Sequence, residues 1–569
     1  MPDGFILRTR GGVESLWHIE PQDDGPDKET RLGPPLHVLG ATRDEHGNAW
    51  GLLLQWKDPD GRQHTWAMPK SLLVADPTAW LSRLADEGWS GAPGSKAKNL
   101  VALYLSTYRT NRRIRCVPRS GWHDGVYVAP DATIGQPSNN ERIVLQVQSS
   151  HNPFITGGTL EAWQSTVSTW AKGNSRLVLA LSASLAAPLL EMAGQESGGF
   201  NFMGQSSTGK TTALVVAGSV WGKGSSSGGY IQNWRATANG LEGLAALHSD
   251  AALCLDELSQ APSRAVNEAA YMLANGMGKT RASQDGSARA AKSWRCLVLS
   301  TGEKGLAEKI AEDGSKVQAG QMVRLIDVPA DAGAGLGLFE DIHGYPSAQA
   351  FVDALKRGAS TNYGHAARVF IQQFIDNREK ATPVLLAGLD QGLEQLCPQD
   401  ADGQVKRVAK RFLLAALAGE LATEWGLLPW EPGDSLQAAK VCFDAWLGQR
   451  GGTGAHEDTA ILSQVKLFIE QHGSSRFQDL DRPEATCINR AGFRRDQDGQ
   501  TTYYILPESF KEVVKGHSPA RAAKVLKDAG LLQADGRNLK RRGPNFPGLG
   551  RAICYVLSFT SKEVENEMS

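Results

Sequence analysis

Between Phe202 and Thr212 the chain carries the spacing G-x-x-x-x-G-K-[ST], with Gly204, Gly209, Lys210 and Thr211 in its fixed positions. Such a segment fits one backbone arrangement, a tight loop leading from a buried strand into a helix. The glycines let Gln205, Ser206, Ser207 and Thr208 curl until their N–H groups converge on a phosphate. Lys210 brings a positive charge to the terminal phosphates, Thr211 offers a hydroxyl to Mg²⁺, and Thr212 lies beside it in the first helical turn. The flanks agree, because residues 199–203 read as a strand and 210–221 as a buried helix whose positive dipole end faces the loop. The chain is therefore expected to bind ATP with Mg²⁺.

Further strand-like runs carry polar groups at their ends. Residues 250–256 are apolar up to the pair Asp256 and Glu257. Burying that run between parallel neighbours leaves its acidic tip where phosphates sit. Asp256 would hold Mg²⁺, directly or through water, and Glu257 would polarise the water attacking the γ-phosphate. The run from Trp294 ends in Ser300 and Thr301, either of which suits the orientation of that water; an N-cap for a helix at 306–311 is the competing role. In the run 322–329, Arg324 stands among apolar residues. Arginine is costly to bury without an anion, so Arg324 is the candidate finger for a neighbouring subunit's nucleotide, with a salt bridge to Asp327 as the alternative.

An insertion at 275–292 separates the acidic run from the one ending in Ser300 and Thr301. Asp285 and Gly286 give it a hairpin turn, and Lys279, Arg281, Arg289 and Lys292 stud its arms with charge. Such a hairpin suits a grip on a phosphate backbone; an exposed charged loop is the plainer reading. Arg368, Arg407 and Arg411 are further candidates for phosphate contact, or solvated helix charges.

With 569 residues, the chain is expected to form about three or four domains. Its net charge of −1 means that any pull toward nucleic acid comes from local patches. The cysteines never approach C-x-x-C spacing, so no zinc ribbon is expected. The most apolar run, 177–193, contains Ser182, Ser184, Pro188 and Glu191, which suits a buried helix rather than a membrane span. With no signal peptide visible, the expected location is cytoplasmic.

The fold expected is multidomain α/β. Residues 1–150 read as a β-rich α+β domain, with helices near 78–86 and 96–108 and a polar loop at 21–35. A helical connector covers 151–197, a P-loop core with a parallel sheet 198–335, and an all-α lid 336–450. After a glycine-rich linker at 451–454, residues 455–569 outline a winged-helix-like domain, with a helix from Ser518, a strand, a loop at 535–550 and a final strand. From Lys515 to Arg551 basic residues far outnumber acidic ones. Arg521, Lys524, Lys540, Arg541 and Arg542 are candidates for nucleic-acid contact, with protein docking as the alternative.

Together, Gly204 to Thr211, Asp256 with Glu257, the basic insertion, 299–303 and 324–329 resemble the domain-of-unknown-function 927 family, P-loop ATPases of phages and mobile elements. The resemblance spans about residues 4–450, with 407–412 and 418–422 as further matching stretches. It implies an AAA+ core related to superfamily 3 and minichromosome-maintenance-like helicases. It also implies hexameric rings in which one subunit's finger meets its neighbour's nucleotide, and it makes the insertion a pre-sensor hairpin. The expected function is an ATP-driven, ring-forming DNA helicase or translocase in replication of a mobile element or phage. Its partners would be further copies of itself, single-stranded or forked DNA, and replication proteins of the same element, with no membrane. The alternatives are a nucleotide-gated initiator or helicase loader without processive unwinding, and an ATPase of a defence or signalling system.

Overall fold

The computed structural model describes residues 1–75, 78–137, 140–146, 152–279, 281–282, 288–289, 291–314, 319–398, 401–450, 456–482, 484, 487–497, 499–535 and 538–560. The expected turn at Asp285 and Gly286, the linker at 451–454 and the expected boundaries at 150 and 455 lie outside the described residues. Contacts divide the chain into two units, Met1–Cys397 with Lys406–Trp446, and Pro398–Val405 with Leu447–Ser569.

The first unit is organised by a five-stranded sheet of β1 (Gly198–Met203), β2 (Gln232–Asn233), β3 (Ala252–Asp256), β4 (Leu297–Gly302) and β5 (Leu325–Pro329). The strand order is β2-β3-β4-β1-β5, and every neighbouring pair is parallel. Every residue of β3 and β4 is buried. Continuous apolar runs rather than alternation are what a parallel strand covered on both faces requires. Because all the strands run one way, Met203, Asp256 and Gly302 end on the same edge.

Helix α1 (Lys210–Ser219) follows β1 and is buried from Thr212 onward. All twelve residues of the helix Ser175–Ala186 are buried against its surroundings. Ser184 Oγ donates to the Ala217 carbonyl at 2.8 Å, so a hydroxyl inside this apolar run is satisfied by the neighbouring helix. Among the described residues no helix is long and apolar enough to cross a membrane. Beyond β5 the chain is helical, in Ala348–Thr361, His365–Leu396, Gly403–Glu424 and Asp434–Arg450. Phe351, Leu355 and Ala359 form the buried stripe of the first of these, and the Ser347 hydroxyl caps it by accepting from Ala350 N at 3.1 Å.

The N-terminal part holds a three-stranded antiparallel sheet, a mixed five-stranded sheet and a second three-stranded sheet, with helices at Ala79–Asp86 and Ser95–Thr107. The polar segment 21–35 is not simply a loop, since Lys28–Gly33 is a strand paired with Val13–Glu20. Its charged residues sit on the solvent side, where Glu29 pairs with Arg8 and Arg10, while Leu32 and Gly33 are buried. A strand with so little apolar content is invisible to a hydrophobicity pattern.

Asp250 ties this part to the start of β3. Its fully buried carboxylate accepts from Arg295 Nε at 2.7 Å, Trp122 N at 3.0 Å and Arg119 Nη1 at 3.3 Å. Asp250→Ala removes the buried carboxylate on which Arg119 and Arg295 converge, leaving Arg295 with Glu191 and Arg119 with the Ser249 hydroxyl, and keeps a left-handed φ of 56° that alanine disfavours. The expected loss is about 3–5 kcal/mol, read as a lowered urea midpoint for the transition of this unit. Asn tolerates the backbone and keeps an acceptor, so Asp250→Asn should lose less.

In the second unit, helices His456–His472, Pro507–Val513 and Pro519–Asp528 bury Ile461, Val465, Phe510 and Leu526 in a common core with Leu557. The sheet of this unit has five strands, ordered Phe477–Asp479, Gly492–Gln497, Gln500–Ile505, Gly550–Thr560 and Arg541–Phe546. The expected loop at 535–550 thus contains a strand, paired antiparallel with the last one. Arg541, Arg542 and a Gly-Pro pair disguise it, and the stacking of Phe546 on Phe493, centroids 4.3 Å apart, holds it in the sheet.

Candidate nucleotide site

The loop between β1 and α1 closes on itself. Lys210 Nζ donates to the carbonyls of Gly204 at 2.8 Å and Gln205 at 2.5 Å, which anchors the ammonium at the loop mouth. Burial lowers the Lys210 pKa, and the carboxylates of Glu303, Glu257 and Asp256 work against that shift. Gly209 has φ 93°, a left-handed conformation, and lies against Leu338 and Phe339. Leu338 N donates to Thr208 O at 2.9 Å, and Gly337, φ 68°, passes so close to Thr208 that a Cβ would meet its carbonyl oxygen at 2.7 Å. Glycine is needed there for the backbone to approach the loop.

A cavity of about 300 Å³ opens over this loop, lined by Ser206 to Thr212, Glu257, Thr301 to Glu303, Gln349, Val352 and Lys356. Thr211 Oγ1 donates to Asp256 Oδ1 at 3.4 Å. The Thr301 hydroxyl donates to that same oxygen and accepts from Glu257 N at 3.2 Å. Ser207 and Glu257, with φ of 64° and 66°, hold left-handed conformations that non-glycine residues seldom adopt. Such outliers are maintained where the surroundings over-determine them, commonly at functional sites. The donor set fits Mg²⁺: Thr211 and Asp256 offer hard oxygens side by side, with room for the waters that the ion retains.

Ser300 is placed differently. Its hydroxyl accepts from Trp234 Nε1 at 2.9 Å and is fully buried, because successive residues of β4 face opposite sides of the sheet. Of the two hydroxyls, only Thr301 reaches the cavity. Neither caps the helix Leu306–Ala311, whose first N–H is bound by Asp327 at 2.9 Å. Asp327 also accepts from Asn201 Nδ2 at 2.7 Å, and burial raises its pKa to about 6. It does not pair with Arg324 in any ion pair among the described residues.

Arg324 precedes β5 instead of lying within it. Its guanidinium, about a third exposed, donates to Asn275 Oδ1 at 3.1 Å and Glu196 Oε2 at 3.2 Å. The cavity is at the other end of the sheet, a strand length of about 16 Å away.

Of the helical arginines, none of Arg368, Arg407 and Arg411 lines the cavity. Arg368 binds Asp131 at 2.7 Å, and Arg411 is buried against Glu196 O at 3.1 Å, where desolvation lowers its pKa to about 10. Sequence reasoning missed Gln349 and Lys356, which face the cavity from the solvent side of the stripe formed by Phe351, Leu355 and Ala359. Their spacing of seven residues was the available signal.

The family model described as "Domain of unknown function (DUF927)" matches residues 8–293. The chain belongs to the DUF927 family. The match stops short of the expected limit near residue 450, so Thr301 and Arg324 lie beyond it. The fold is similar over 99% of both chains to a solved structure described as "SCCmec type IV Cch - active helicase", with a TM-score of 0.73 and 19% identity. Among curated proteins no sequence matches.

In this DUF927 chain the basic insertion forms an antiparallel pair, with Arg281 opposite Arg289 and a continuing bridge from Met277 to Ser293. Lys292 is exposed; Lys279 N donates to the buried Glu242 carboxylate at 3.1 Å, and its ammonium lies 4.0 Å from Glu268. In the second unit Arg521, Lys524, Lys540, Arg541 and Arg542 are exposed. Arg521 pairs with Asp458 at 3.2 Å, Arg541 binds Gln533 at 3.1 Å, and Lys540 lies 5.3 Å from the Tyr555 ring centroid.

Proposed function

We propose that this protein is an ATP-hydrolysing, ring-forming DNA helicase or translocase that serves replication of a mobile element or phage. The observation that carries the reading is a juxtaposition in one sheet. Lys210, Thr211, Glu257 and Thr301 line one cavity, Asp256 accepts from the Thr211 and Thr301 hydroxyls, and a basic hairpin is built into the connection from β3 to β4. The strand order, the helices after β5 and the likeness to an active helicase support an AAA+ core with a helical lid. The exposed cations on the helix Pro519–Asp528 and its neighbouring hairpin support a winged-helix role for the second unit.

In this mechanism the loop N–H groups and Lys210 would bind the β- and γ-phosphates, and Thr211 and Asp256 would hold the metal. Mg²⁺ bound there would neutralise charge developing on the phosphates. Glu257 accepts a proton from the attacking water, and Thr301 fixes the position of Asp256 and of the Glu257 backbone. The Arg324 of one copy serves the cavity of the next, which makes the ring part of the active site. Lys279, Arg281, Arg289 and Lys292 follow the phosphate backbone of single-stranded or forked DNA.

Strand displacement on a forked duplex, with each tail blocked in turn, tests the reading beside a mass measurement with and without ATP. ATP-dependent displacement from an assembled ring is expected. Site-specific duplex binding without displacement would replace the helicase by the initiator or loader.

A further inference from the structure

The five-stranded sheet of the N-terminal part ends in a row of cations that the nucleotide site does not use. Its strands are ordered Arg142–Leu145, Arg113–Val117, His37–Arg43, Gly51–Lys57 and Gln63–Pro69. The registers place Arg142 beside Ile114, Arg113 beside Ala41, Thr42 beside Gly51 and Gly51 beside Pro69. Arg142, Arg113 and Trp50 therefore come to one end of the sheet. At the usual strand spacing the row from Arg142 to Trp50 is about 14 Å long.

Three observations set this end apart. First, Arg109, Arg112, Arg113 and Arg142 are exposed, and among the described residues none of them pairs with a carboxylate. The nearby Glu141 is engaged by Arg43 at 2.9 Å and Arg115 at 3.7 Å. Second, like charges are gathered: partial burial and the neighbouring Arg112 both lower the Arg142 pKa. Third, Trp50 leaves 44% of its surface exposed, with the Arg113 guanidinium 5.5 Å from its ring centroid. An exposed indole among uncompensated guanidinium groups combines the two elements that single-strand binding uses, a stacking platform and a positive track.

We propose that this end of the N-terminal sheet is a second polynucleotide surface, on which Arg112, Arg113 and Arg142 hold the phosphates of a single strand and Trp50 stacks on a base. It rests on the proposed action on DNA and extends it to a part of the chain outside the nucleotide core. The indole favours a single strand, whose bases are free to stack, over a duplex.

The test is fluorescence anisotropy of full-length protein with a labelled oligothymidylate of about 30 nucleotides, over a salt series. Arg112→Ala with Arg113→Ala should reduce the slope of log affinity against log salt by about 0.7 for each lost phosphate contact. Lysine at both positions should restore the slope, which a folding defect would not allow. Trp50→Ala should weaken binding about 5- to 150-fold. Photo-crosslinking with 5-iodouracil in the oligonucleotide should place the adduct on the Trp50 peptide. If wild-type protein binds the strand and the arginine and tryptophan variants match its affinity and slope, the surface is wrong while the action on DNA stands. If wild-type protein binds no polynucleotide, the function proposed above falls, and this surface with it.

Discussion

Arg324→Ala is expected to lower ATP turnover by about 10³-fold or more, the range over which arginine fingers act. The side chain cannot serve its own cavity, because it precedes β5 while Lys210 follows β1 at the opposite end of the parallel strands. What holds it is weak. Glu196 is mostly exposed, and a surface ion pair of this kind contributes about 0–1 kcal/mol, so the guanidinium is free to exchange that partner for a phosphate. Mixing Arg324→Ala with Lys210→Ala subunits should restore part of the rate. At one class of interface an intact phosphate loop then faces an intact finger. A phosphate-release assay across mixing ratios checks this. Turnover at the wild-type rate in Arg324→Ala alone, or no recovery on mixing, would refute the inter-subunit role.

Glu257→Gln is expected to reduce kcat by about 10²–10⁴-fold, the usual contribution of a positioned general base, while ATP affinity changes little. The amide keeps the size of the side chain and the left-handed backbone, whose N–H still donates to the Thr301 hydroxyl. Only the proton acceptor is removed. Single-turnover hydrolysis beside equilibrium binding of a fluorescent ATP analogue separates the two effects. An unchanged rate would move the base elsewhere, and lost binding would show that the carboxylate shapes the cavity instead.

Much of the candidate site's geometry was legible because local sequence carries it. The phosphate loop needs contiguous residues in fixed order, and a strand such as β3 announces itself by an apolar run ending in Asp256 and Glu257. The hairpin was readable in part, from its paired basic arms. The choice between Ser300 and Thr301 was not legible, since adjacent hydroxyls on a strand differ only in which face of the sheet they meet. The strand Lys28–Gly33 escaped because its partners are charges on the solvent side, and Arg541–Phe546 because it depends on an aromatic stack formed with Phe493, far away in the chain.

The amino-acid order alone determined that a glycine-bounded loop ending in Lys210 and Thr211 sits between a buried strand and a helix, and that an acidic strand follows it, because these depend on neighbouring residues and on burial. Tertiary structure alone decided that Thr301 rather than Ser300 meets Asp256, that Lys356 and Gln349 close the cavity, that Asp250 joins the N-terminal part to β3, and that Arg142, Arg113 and Trp50 share one sheet end. Each of those joins residues from separate strands or helices, and strand order and register, which place them together, are set by packing over the whole unit.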